Sequence, residues 1–233
     1  MRVPDLGRAV ARALLDLVWP PRCAACGAAV REEPFCEVCA GALEPVPPGC
    51  ARCGQPGPDA LCGACRAAPP AFDAVRAGGL FGGPLADAIH AFKYRDRPAL
   101  ARPLGRWLAA RAQVPPGAVV VSVPLARGRR LERGYDQAAL LADALARTAG
   151  AGGRRLRAVL RRVRETPPQV GRTREERARN VADAFEAGAA VAGKDVVLVD
   201  DVVTTGATAD AAAAALRQAG ARSIVVVALA RAE

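Results

Sequence analysis

Histidine is almost absent from this chain: among 233 residues there is one, His90. No Ser-His-Asp set and no Walker-type phosphate loop is present. Chemistry here must rest on positioning, charge and metal, not on an imidazole base. His90 sits on a predicted helix among Ile89, Ala91 and Phe92 and reads as an ordinary packed or partly exposed residue. Aromatics are also few, with five Phe, two Trp and two Tyr. The core is therefore aliphatic, and the stack of exposed rings common in single-strand binders is not expected. Lysine occurs only as Lys93 and Lys194; the Arg and Ala bias reads largely as coding background. No apolar run is long enough to cross a membrane. Residues 1–19 are an amphipathic helix candidate, with Arg8 and Arg12 on a different face from Leu14, Leu15 and Val18. That segment lacks a long apolar centre and a cleavage-like end, which argues against export and for a cytoplasmic address.

What is present suffices for one α/β domain and a small appendage, since hydrophobic residues make up 52% of the chain. The net charge of +10 is unevenly placed. Between positions 127 and 179 there are 15 arginines against 6 acidic residues, and the rest of the chain is near neutral. A basic middle of this kind suits a polyanion such as a diphosphate or a nucleic-acid backbone, although each arginine alone is adequately explained by a solvated face.

All eight cysteines lie between positions 23 and 65, as four C-x-x-C pairs: Cys23/Cys26, Cys36/Cys39, Cys50/Cys53 and Cys62/Cys65. Two-residue spacing places both sulfurs of a pair on one side of a tight turn, the grip of a zinc knuckle. Eight sulfurs make two closed four-cysteine sites, hence two structural Zn2+ ions. Disulfides would need an oxidising compartment, for which no targeting signal speaks. Residues 20–68 form a double zinc ribbon too small to fold without metal. Sequential ligation is the first choice, and spacing leaves a cross-braced pattern open. Gly27, Gly54 and Gly63 stand where knuckle turns need positive φ.

From residue 72 to 233, strands and helices alternate. Strands are expected over 72–81, 119–123, 156–163, 196–199 and 224–229. Helices are expected from Pro84 to Tyr94 and over 99–112, 136–148, 174–179 and 207–219, with Asp136 as an N-cap and a long loop starting at Arg164. The fold class is α/β, an open, mainly parallel sheet with helices on both faces.

Residues 196–208 read VVLVDDVVTTGAT. A buried strand ends at Asp200 and Asp201, whose carboxylates can accept hydrogen bonds from vicinal ribose hydroxyls. Thr204, Thr205, Gly206, Ala207 and Thr208 then open a helix, where backbone N–H groups and hydroxyls favour a phosphate. A plain strand and polar turn would account for the flanks, but not for two charges beside three threonines. Pro124, closing the strand at 119–123, makes residues 124–130 a second site candidate beyond a strand's carboxyl end.

The run at 196–208 resembles the ribose-5-phosphate loop of type I phosphoribosyltransferases. With Ser122-Val123-Pro124-Leu125, Arg133-Gly134-Tyr135-Asp136-Gln137, then Gln169, Arg177 and Asn180, and the cysteine pairs, the whole chain resembles the ComF family. Its members carry a double zinc ribbon fused to a phosphoribosyltransferase-type domain. The resemblance implies that Asp200 and Asp201 bind the ribose and serve catalysis, and that residues 204–208 hold the 5-phosphate. Pro124, Leu125 and Arg127 would approach the pyrophosphate of phosphoribosyl pyrophosphate, which binds with Mg2+. Asp136 replaces the family's Asn, which removes an amide donor. The resemblance also links the chain to competence, and so to a second reading as a non-catalytic module handling single-stranded DNA with a helicase partner. No hood segment with base-recognition residues is identifiable in the sequence.

Overall fold

The computed structural model describes residues 20–31, 34–148, 154–164 and 184–232. The expected amphipathic helix at 1–19, the helix at 174–179, most of the long loop, and Gln169, Arg177 and Asn180 lie outside them.

Two short ribbons come first, and they repeat. Each begins with an isolated antiparallel bridge, Arg22 with Ala29 and Gly49 with Pro56. Each then turns through a knuckle closed by a glycine with positive φ, Gly27 at 77° and Gly54 at 67°. Each ends on a five-residue helix, α1 (Glu37–Gly41) and α2 (Gly63–Ala67), with Cys36 and Cys62 at the N-cap positions. Gly63 departs from the expectation: it is the first residue of α2, where ordinary helical φ suffices.

The remaining elements are β1 (Ala74–Leu80), α3 (Gly83–Tyr94), α4 (Ala101–Ala112), β2 (Val119–Ser122), α5 (Arg127–Arg133), α6 (Gln137–Thr148), β3 (Arg154–Arg155), β4 (Leu160–Arg162), β5 (Phe185–Ala187), β6 (Asp195–Val203), α7 (Ala207–Gln218) and β7 (Ser223–Arg231). Five strands form one sheet in the order β1-β7-β6-β2-β3, every pair parallel. Both faces are covered, as continuous apolar strands require. Val197 and Val199 pack with Leu104, Leu108, Leu141 and Leu145, while Val196 and Leu198 pack with Ala212, Ala213 and Leu216. The ribbons divide likewise: Cys23 and Cys39 join the first cluster, Cys50, Cys53 and Cys65 the second. Phe35 meets Trp107 edge-on at 5.6 Å, and the Leu80 N–H donates to the Glu44 carbonyl at 2.8 Å along the edge strand β1.

Two strand expectations need correction. The segment 156–163 is not one strand: β3 lies before it in the main sheet, and β4 pairs antiparallel with β5 in a separate ribbon. Arginines interrupt its apolar pattern, so no continuous face exists to bury. The strand at 196–199 does not stop at the carboxylates. It continues through Val203, because Val202 and Val203 pair with Ala230 and Arg231 of β7.

That continuation creates the site. On its other side β6 pairs with β2 only as far as Val199 opposite Ser122, after which Pro124 turns the chain away. From Asp200 onward one edge of β6 is open. The connections also diverge here, β2 leading to α6 on one face and β6 to α7 on the other. This is the switch point at which open parallel sheets bind ligands.

Candidate functional site

The crevice is a cleft of about 500 Å³, walled by Asp200, Asp201, Val202, Thr204 and Thr208 on one side and by residues 123–126 with Arg129 and Arg133 on the other. Thus Asp200, Asp201, Thr204, Thr208, Pro124 and Leu125 come together as the sequence suggests. Thr205, Gly206 and Ala207 shape the turn and are not part of the wall. Arg127 opens α5 outside the wall, and Arg129 and Arg133 of the same helix line the cleft instead.

Gly206 is the N-cap of α7 with φ of 81°, a left-handed conformation that side chains other than Gly adopt at a cost. Its position lets Thr205 Oγ1 accept from the Ala207 N–H at 3.4 Å. The turn is held from beneath by Arg231, only 3% exposed. Its guanidinium donates to the carbonyls of Val203 at 3.0 Å, Ala232 at 2.6 Å and Thr204.

Burial, reinforced by the charge of Asp201, raises the Asp200 carboxyl to about 7. Its Oδ1 accepts the Asp201 N–H at 2.8 Å. Asp201 pairs with Lys93 Nζ at 2.9 Å, so one cation from α3 offsets part of the acid pair. Sequence reasoning missed Lys93. The signal was available in its rarity, since one of two lysines stands at the carboxyl end of the helix after β1.

Asp136 accepts the Ala139 N–H at 2.9 Å, as the expected N-cap of α6, and its other oxygen accepts the Leu125 N–H at 3.2 Å. The carboxylate accepts both with separate oxygens, where an amide would offer one acceptor and one donor. Next to it Gln137 is 1% exposed, lines the cleft, and has no partner for Nε2 among the described residues.

The cysteines group sequentially, Cys23 with Cys26, Cys36 and Cys39, and Cys50 with Cys53, Cys62 and Cys65; within each group all sulfurs lie within 4.8 Å of one another. Cys26 and Cys36 sulfurs are 3.8 Å apart, and Cys53 and Cys62 sulfurs 3.7 Å. Four thiolates about 2.3 Å from a tetrahedral Zn2+ would be spaced in just this range. Cys39 and Cys53 N–H groups also point at Cys36 and Cys50 sulfurs at 3.5 Å. Burial, with hydrogen bonding among the sulfurs, pushes the Cys39 thiol up to about 12, since thiolates this crowded need a cation to ionise together. The donor set fits structural zinc.

No helix among the described residues is long and apolar enough to cross a membrane.

Two family models match parts of the chain. A double zinc ribbon domain model matches residues 14–66, and a phosphoribosyl transferase domain model matches residues 135–233. The chain is 34% identical to DNA utilization protein YhgH of Salmonella typhi over 84% of its own length and 90% of that protein. It is 32% identical to the Escherichia coli K12 protein of that name over the same shares. Competence protein F of Haemophilus influenzae is 30% identical over 90% of each chain. Among solved structures, glutamine phosphoribosylpyrophosphate amidotransferase from B. subtilis aligns with 60% of the chain at 26% identity and a TM-score of 0.38. The chain spans 27% of that structure's length.

Proposed function

The chain belongs to the ComF family, which joins a double zinc ribbon to a phosphoribosyltransferase domain, and from that membership and the cleft we propose that it binds phosphoribosyl pyrophosphate with Mg2+ and transfers or releases the phosphoribosyl group. The observation carrying this reading is the meeting of the Asp200–Asp201 pair, Thr204 and Thr208 with Pro124 and Leu125 around one cleft. In it the acid pair would accept the ribose hydroxyls. The α7 N-terminus, with Thr204 and Thr208, would take the 5-phosphate. The turn at Pro124 and Leu125, backed by Arg129 and Arg133, would face the pyrophosphate.

In the proposed reaction a nucleophile's lone pair forms a bond to the anomeric carbon. The bond from that carbon to pyrophosphate oxygen breaks, the leaving group keeps the pair, and the nucleophile's proton goes to solvent. Asp200 and Asp201 are the carboxylate donors that would face Mg2+, which when bound neutralises the leaving group. The arginines of α5 would stabilise charge growing on the pyrophosphate.

The second reading is handling of single-stranded DNA, with a helicase as partner. It is favoured by the names of the relatives, DNA utilization protein and competence protein F, and by α5, which carries four arginines and buries no residue.

Calorimetric titration of the zinc-loaded protein with phosphoribosyl pyrophosphate, with and without Mg2+, tests the first reading. Saturable, Mg2+-dependent binding that disappears in the Asp200→Asn, Asp201→Asn double variant is expected. Absence of binding under both conditions would overturn it and leave DNA handling as the leading reading.

A further inference from the structure

The wall that carries Pro124 and Leu125 is held by one side chain, Asp136. One of its oxygens accepts the Leu125 N–H at 3.2 Å and the other the Ala139 N–H at 2.9 Å. Its backbone carbonyl accepts the Leu140 N–H at 3.0 Å and so begins α6. Asp136 itself lines the cleft. A carboxylate therefore already stands where the turn after β2 and the first turn of α6 direct N–H groups, a setting that otherwise favours a phosphate oxygen. Both donors are occupied by it.

An asparagine at this position would cap α6 about as well, yet it would do the opposite to the wall. Its one acceptor would go to the Ala139 N–H, and its amide would turn a donor toward Leu125, leaving that N–H for a ligand oxygen. With Asp136 a negative charge stands there instead, and its reach is seen at the acid pair. Burial and the Asp201 charge raise the Asp200 carboxyl to about 7, and Asp136 adds to the rise. The same wall is nevertheless equipped for an oxygen-bearing ligand. Next to Asp136 the Gln137 amide, 1% exposed, keeps an Nε2 donor without a partner among the described residues, and Arg129 and Arg133 line the cleft beside it. Arg133 is oriented by Tyr94, lying over its ring at 4.7 Å and donating to its hydroxyl at 3.0 Å. A ligand anion seated here meets these donors and a fixed negative charge together.

We propose that Asp136 is a specificity-determining residue at this end of the cleft, excluding a bare diphosphate and admitting one whose charge a divalent cation has offset. Like charges a few ångströms apart repel strongly where water is partly displaced. A diphosphate that already carries a cation brings little net charge to Asp136 and still has oxygens to accept from Gln137 and the arginines. A sugar monophosphate held at the start of α7, on the opposite wall, escapes this selection. The place of the selection in phosphoribosyl transfer rests on the proposed function; the exclusion of a bare diphosphate does not.

The test titrates the full zinc-loaded chain calorimetrically with phosphoribosyl pyrophosphate and with inorganic pyrophosphate, each with Mg2+ present and with Mg2+ omitted, and with ribose 5-phosphate. Asp136→Asn and Asp136→Ser both keep an N-cap acceptor for α6 and remove the charge, and circular dichroism checks that each is folded. Without Mg2+ both variants should bind the two diphosphates at least about tenfold more tightly than wild type. With Mg2+ the gain should stay within about threefold, and ribose 5-phosphate affinity within about twofold. A gain of the same size with and without Mg2+, or no gain in either variant, overturns the proposal. If no protein binds phosphoribosyl pyrophosphate but the variants alone bind inorganic pyrophosphate without Mg2+, the selection stands and the phosphoribosyl reading falls. If the wild type binds phosphoribosyl pyrophosphate with Mg2+ and the variants bind no differently, that reading stands and Asp136 is a helix cap only. If no diphosphate binds any of the three proteins, both fall.

Discussion

Arg231 donates to the Gln55 side-chain oxygen at 2.6 Å, which connects the last residue of β7 to the second zinc knuckle. Gln55 follows Cys53 by two residues, and its backbone carbonyl accepts the Cys50 N–H at 2.9 Å. The same guanidinium holds the carbonyls of Val203 and Thr204 at the start of the turn that leads into α7. One buried cation therefore joins the second cysteine ribbon to the turn that opens α7. Gln55→Leu leaves Arg231 its carbonyl partners but removes the amide, and loss of a partner to a charged donor costs about 1.5–3 kcal/mol. The expected result is a lower melting temperature with zinc content unchanged at two ions per chain, measured by thermal unfolding and atomic emission.

A second prediction concerns pH. The Asp200 carboxyl titrates near 7 in the folded protein, against an ordinary 3.8. Between those values the unfolded chain releases its proton first, so stability falls as pH rises through this window and the penalty is constant above about 7. Asp200→Asn removes that penalty, and its amide oxygen can still accept the Asp201 N–H. The variant should be more stable than wild type at pH 8, by on the order of 2–4 kcal/mol, and so melt higher, and the two curves should converge below pH 4. Under the proposed function the same variant should lose phosphoribosyl pyrophosphate affinity while it gains stability. Equal melting at pH 8 would show that Asp200 is not destabilised by its surroundings.

How far the sequence exposes this arrangement depends on whether a pattern is local. The run around Asp200 and Asp201 combines strand, charge and helix start within a dozen residues, and the knuckles recur at two-residue spacing; both are legible by eye. Strand β6 was read too short because two carboxylates look like a strand's end, whereas backbone pairing to Ala230 and Arg231 is set by the partner strand. Lys93 and Tyr94 escaped notice because their meaning is relational: a helix face matters only once the sheet order places it beside β6. Arg231 was invisible for the same reason. At the end of an apolar strand it resembles a solvated terminus, yet it is buried by groups contributed from residues 55 and 203–204.

Metal removal provides a third test. Each cysteine group closes its own ribbon, and the two ribbons pack on opposite faces of the sheet. Cys26→Ser should remove one zinc equivalent and Cys62→Ser one, with the other site retained in each case. Because Gln55 belongs to the second ribbon, Cys62→Ser should also weaken phosphoribosyl pyrophosphate binding, whereas Cys26→Ser should leave it near wild type. Metal analysis alongside calorimetry distinguishes these outcomes. Equal loss of affinity in both variants would mean that the ribbons act through general stability and not through Arg231.

A fourth prediction isolates the turn proposed to hold the 5-phosphate. An added Cβ at Gly206 would approach the Phe72 ring no closer than 3.6 Å, an ordinary contact, so space does not oppose alanine there. The opposition comes from φ of 81°, which costs a side-chain-bearing residue roughly 1–2 kcal/mol. Gly206→Ala can relieve that strain by rotating toward negative φ, but doing so moves the first N–H groups of α7 away from the cleft. A modest fall in melting temperature should thus accompany a loss of phosphoribosyl pyrophosphate affinity of at least about tenfold, well beyond what the stability change explains. Calorimetry on a variant shown by circular dichroism to be folded measures both. Wild-type affinity in Gly206→Ala would mean that the phosphate does not rest on this turn, and the 5-phosphate would then have to be sought nearer Arg129 and Arg133.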